Sequence, residues 1–131
     1  MEIEITGLEY LMRLLGVAAS NEMLRAPMVA SLALLHGRLA TYPTPLTNSS
    51  YRRTGTLGRS WTTAISAISD GIRGEVGNNV GYAPYVQGGA ATEPNQAWMH
   101  AGRWQTDVQV MQQSEAQIRA LFEDAVRRAI R

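Results

Sequence analysis

Two histidines, a cluster of three arginines and a few glycine-bearing turns are the places where this chain could do chemistry. His36 sits in an apolar, helix-spaced run and reads as a surface or half-buried helix residue. His100 lies in an irregular segment near Asp107, but a metal site needs a third ligand at recognisable spacing, and none follows. A serine nucleophile on a G-x-S-x-G elbow is absent from the sequence. GTLG and GG do not make a phosphate cradle, because the P-loop places a lysine after its glycines and this chain has no lysine. The expectation is therefore a protein that is not an enzyme, with no catalytic residue, no metal and no cofactor.

The arginines offer binding rather than turnover. Arg52, Arg53 and Arg59, with Tyr51 and Trp61 beside them, could follow phosphates while the rings stack on bases. They could equally pair with carboxylates of their own fold or of neighbouring subunits. Twelve basic residues against eleven acids, a net charge of +1, favour the second reading. The loop aromatics point the same way. Tyr82, Tyr85, Trp98 and Trp104 alternate with glycines and polar residues, and Tyr, Trp and Arg are the preferred anchors of protein interfaces. The candidate subunit-interface residues are thus Tyr51, Arg52, Arg53, Arg59, Tyr82, Tyr85, Trp98, Arg103 and Trp104, while Trp61 is expected to cap the local core.

These residues need elements to position them. The 131 residues, 45% of them hydrophobic, fit one compact domain spanning 1–131. No cysteine is present, so no disulfide frame or thiolate site exists. The acidic start, with Arg13 inside its apolar part, differs from a signal peptide, and no apolar run approaches the roughly 18 residues of a membrane span. The expectation is a soluble intracellular product. IEIT alternates as a strand does; Leu8, Leu11, Leu14 and Leu15 then fall at helical spacing, with Gly16 a weak point. A second helix carries Met28, Val29, Leu32, Leu35 and Leu39, with Pro27 either in its first turn or kinking a helix that begins near Ser20, and it stops at Pro43 and Pro45.

Residues 41–59 have loop composition at a length that ordinary connections rarely reach. The run SWTTAISAISDGIRGEVGNNV predicts a hairpin turning on Asp70-Gly71, with Ile65 opposite Val76, Trp61 opposite Val80, and Ser66, Arg73 and Glu75 on the wetter face. Residues 87–103 form a second long loop. The C-terminal segment predicts a helix opened by a Ser114–Gln117 capping box, with a stripe of Ile118, Leu121, Phe122, Val126 and Ile130. Glu115–Arg119, Glu123–Arg127 and Asp124–Arg128 are i,i+4 pairs on its outer face. The fold class is α+β: an N-terminal strand and helices, a central antiparallel hairpin or sheet, and a long C-terminal amphipathic helix packed on it.

YRRTGTLGRSW, then VGNNVGYAPYVQGG and WMHAGRW, resemble the neck or tail-completion proteins of long-tailed bacteriophages, head-tail joining proteins also labelled minor tail components. The match runs from Tyr51 to Trp104, through Arg53, Thr54, Gly55, Leu57 and Ser60 and then Gly77, Tyr82, Ala83, Tyr85 and Gly89. The resemblance implies a structural virion protein that forms a homo-oligomeric ring at the head-tail junction. Such a ring has six subunits, or twelve, and lies between the portal complex of the capsid and the tail. Its neighbours would be head-completion or stopper proteins and tail-terminator or tail-tube proteins, with DNA passing through the lumen without sequence specificity and no membrane contact. The subunit would assemble in the host cytoplasm. Loops 41–59 and 87–103 would be arms that touch neighbouring rings. The alternative is a nucleic-acid-binding module built on Arg52, Arg53 and Arg59.

Overall fold

The computed structural model describes residues 2–7, 10, 13, 22–43, 56–69, 71–78, 87 and 104–130. Among these the elements run β1 (Glu2–Thr6), α1 (Glu22–Leu39), a single-turn α2 (Thr56–Arg59), β2 (Trp61–Ile68), β3 (Gly71–Asn78) and α3 (Asp107–Ile130). The class is α+β, as the sequence predicts. Of the expected leading helix, Tyr10 and Arg13 are helical and exposed, while Leu8, Leu11, Leu14, Leu15 and Gly16 lie outside the described residues.

The strands form one antiparallel sheet in the order β1-β3-β2. Period-two alternation sends Ile3 and Ile5 of β1 to the same face as Ile72, Gly74 and Val76 of β3, and this face carries the core. On the other face Arg73 stands directly opposite Glu4, its Nη2 2.6 Å from Glu4 Oε1, with Glu2 Oε2 at 3.8 Å from its Nε. The hydrogen bond and charge of Glu4 push the Arg73 pKa further up, so this guanidinium keeps its charge throughout the accessible pH range.

The hairpin register differs from the expected one by two residues. Ile65 pairs with Gly74 and Trp61 with Asn78, the pairing runs on to Ile68 and Gly71, and Gly71 is already the first residue of β3. A slip of two preserves the faces, which is why Ser66, Arg73 and Glu75 still lie on the outer side. The reason for the shift is β1. Gly71 pairs with Thr6, and a Cβ built there would sit 1.8 Å from the carbonyl oxygen of Ile5. Glycine is needed at 71 for close approach of a third strand, not for a turn.

In α1 the residues Leu24, Met28, Ser31, Leu32, Leu35 and Leu39 recur at helical spacing and are buried. Val29, expected on this stripe, is 50% exposed, since it stands one position off the Met28–Leu32–Leu35 line. Pro27 lies inside the helix, not in its first turn, and is itself buried; the Ser31 hydroxyl donates to its carbonyl at 2.7 Å. The helix rests directly on β3: a Cβ at Gly74 would meet Met28 Sδ at 2.4 Å and Leu32 Cδ2 at 3.1 Å.

Helix α3 starts seven residues before the expected box. Thr106 and Gln109 form the actual capping box, the Thr106 hydroxyl accepting from Gln109 N at 3.1 Å and Gln109 Oε1 accepting from Thr106 N at 2.9 Å. Val110, Ser114, Ile118 and Phe122 are buried at intervals of four. Leu121 and Val126 are half-buried and Ile130 is 45% exposed, so the expected stripe fades toward the C-terminus. The three i,i+4 ion pairs form at 3.0, 3.9 and 2.8 Å. The helix packs most extensively along α1 and shares one core with the sheet, in which Val110, Ile118 and Phe122 join Ile3, Ile72 and Val76. An apolar groove of about 550 Å³ remains between α3 and the end of β1, over Ile5, Leu24, Ile118, Phe122 and Val126.

Candidate interaction site

A second, smaller core lies apart from the main one, built from Leu57 of α2, Trp104 just before α3, and Tyr42 just after α1. Tyr42 and Trp104 meet edge to face, ring centroids 4.9 Å apart at 61°. The Tyr42 hydroxyl accepts from the backbone N–H of Gly58 at 2.9 Å, and Asn78 at the end of β3 donates from Nδ2 to the carbonyl of Leu57 at 2.8 Å. Gln87, buried, donates from Nε2 to the carbonyl of Leu39 at 3.1 Å, satisfying one of the open carbonyls at the end of α1.

The segments expected as long loops lie, in 44–55 and 88–103, outside the described residues, but the residues that flank them come together. Loop 41–59 leaves at Tyr42 and returns at Leu57, and these two residues touch. Loop 87–103 leaves at Gln87, on the last turn of α1, and returns at Trp104, on Tyr42. Next to this junction Arg38 spans from α1 to α3. Its Nη1 donates to the hydroxyl of buried Ser114 at 2.6 Å and its Nη2 to the side-chain carbonyl of Gln117. Beside them Arg38, Thr41, Gln105 and Gln113 line a polar hollow of about 280 Å³.

Of the expected interface residues, Tyr51, Arg52, Arg53, Tyr82, Tyr85, Trp98 and Arg103 lie outside the described residues, as does His100. Arg59 is exposed at the end of α2, and no carboxylate among the described residues pairs with it. Trp104 is 8% exposed, its ring covered within the chain by Leu57 and Tyr42. Residues 56–59, expected as loop, form α2. Trp61 is buried in the main core as expected, its indole N–H without an acceptor among the described residues. His36 is half-buried on α1, and the described residues contain no group of three side chains able to hold a metal ion.

Tyr42, Asn78 and Gln87 were not anticipated, and Leu57 only as a residue of the resembling motif. Leu57 carried a signal, being with Leu46 one of two large aliphatic residues in an otherwise polar stretch. Asn78 and Gln87 act through single polar atoms and Tyr42 through its ring edge and hydroxyl, none of which periodicity registers. No helix among the described residues is long and apolar enough to cross a membrane. Comparison with protein-family models, curated proteins and solved structures gave no match.

Proposed function

We propose that this chain is a structural, non-enzymatic virion protein that forms a ring at the head-tail junction of a long-tailed phage, joining the portal complex to the tail around the DNA channel. The observation that carries the reading is the junction of Tyr42, Leu57 and Trp104, with Gln87 close by on α1. It gathers the flanks of both expected loops at one place on the α+β body, and loops held by a scaffold are where binding residues concentrate. The sequence places on those loops Tyr51, Arg52, Arg53, Trp98 and Arg103, and just before the second of them Tyr82 and Tyr85, residue types that anchor interfaces. Partners are further copies of the chain and the rings above and below.

Light scattering after size exclusion, with negative-stain images of the same fractions, tests this. Rings of six or twelve, or a monomer that binds isolated phage heads or tails, are the expected results. A monomer that binds neither overturns the reading. One observation favours a second reading, nucleic-acid binding through Arg52, Arg53 and Arg59: Arg59 is exposed and free of described carboxylates. That reading requires affinity that falls steeply with salt, with a slope reduced by R52A and R53A.

A further inference from the structure

Strand β2 ends the sheet. Among the described residues its one strand partner is β3, so its other side presents backbone N–H and C=O groups along an eight-residue edge. Edge strands are ordinarily blunted by shortness, charge, proline or a bulge. WTTAISAI has no charge and no proline, and its register with β3 runs unbroken from Trp61 to Ile68. Thr63 and Ala67 share the core-side face with Ile65 and Val76, yet both are exposed. Helix α1 packs on β2 as well as β3, covering Trp61 and part of Ile65, and leaves Thr63 and Ala67 uncovered.

We infer that β2 pairs antiparallel with β2 of a second copy of this chain, extending the sheet to six strands. A strand that pairs with itself meets its own side chains, so charges on it would face like charges; β2 carries none. The opposite edge differs, since β1 has five residues and bears Glu2 and Glu4. A two-fold axis normal to the sheet keeps both helix-covered faces on one side and sets odd-numbered residues against odd-numbered ones. Centred on Ile65, it places Thr63 of one copy against Ala67 of the other, covering both open positions. The inference stands independently of the neck reading. Alone the contact gives dimers, and between rings of six it gives a back-to-back assembly of twelve.

Because the chain has no cysteine, a single introduced cysteine reports only contact with another copy of itself. With a short thiol cross-linker, Ala64→Cys, Ile65→Cys and Ser66→Cys are expected to give covalent dimers, and Thr62→Cys and Ser69→Cys, at the strand ends, to give none. Thr63→Lys, an exposed position, is expected to halve the mass in solution. Absence of cross-linking at all three central positions, or a mass unchanged by Thr63→Lys, overturns the inference. A ring of six that Thr63→Lys leaves intact overturns it while the neck reading stands; wild-type dimers that cross-link as expected but never join phage heads or tails overturn the neck reading alone.

Discussion

Arg38 shows how one side chain joins elements that the sequence keeps 76 residues apart. Ser114 and Gln117 match a capping box by spacing, yet both lie inside α3, where they accept hydrogen bonds from the Arg38 guanidinium. A box is a local pattern, and any Ser-x-x-Gln in a helix satisfies it; Thr106 and Gln109 satisfy it too, and only they sit where the chain enters the helix. The Ser114 hydroxyl is fully buried, so losing its partner is costly even though each hydrogen bond is modest in net terms. Arg38→Met, which keeps the aliphatic stem, should destabilise the fold by about 1–2 kcal/mol in urea unfolding. Ser114→Ala combined with it should cost less than the two single changes added, the sign of direct coupling. Strict additivity would mean that the bond does not contribute.

At the scale of elements, the main lines were legible and the joints were not. The alternation of β1, the leucine stripe of α1 and the apolar positions of α3 are periodic signals; β1 and α1 lie where their periods place them, and α3 covers the expected span but begins further upstream. The hairpin was legible in existence and faces but not in register. Asp-Gly is a strong turn signal, and a pairwise reading of two strands cannot see that a third strand needs the same glycine. Gly71 and Gly74 now make different demands. A methyl at Gly74 meets the flexible Met28 side chain, whereas at Gly71 it meets the Ile5 backbone. Gly74→Ala should therefore cost about 1–3 kcal/mol through overpacking. Gly71→Ala should cost more, because no rotamer change relieves a clash with main chain, and β1 must leave the sheet. Hydrogen exchange would show this as lost protection in β1 and β3 for Gly71→Ala only. Equal losses for the two variants would return Gly71 to the turn.

For the molecule as a whole, the sequence indicated that two stretches were too long and too polar to be plain connections, but not that they share a root. That fact depends on Tyr42, Leu57 and Trp104 meeting across 62 residues of chain, and on Gln87 held to Leu39 at the end of α1, through one aromatic edge, one small apolar contact and two polar atoms. Such contacts leave no period to read. They do make a prediction about separable roles. If the junction supports the fold and the loops make the assembly, shortening loop 41–59 outside its root should alter one and spare the other. Removing residues 47–52 leaves Pro43, the α2 turn and the Tyr42–Gly58 hydrogen bond in place. Loop-closure entropy changes by only about 0.6 kcal/mol for each halving of length, so unfolding should shift by no more than that. Joining to phage heads or tails, or affinity for nucleic acid if Arg52 acts there, should fall at least tenfold. A shortened chain that unfolds would make the loop part of the fold, and one that still joins its neighbours would move the contact to loop 87–103.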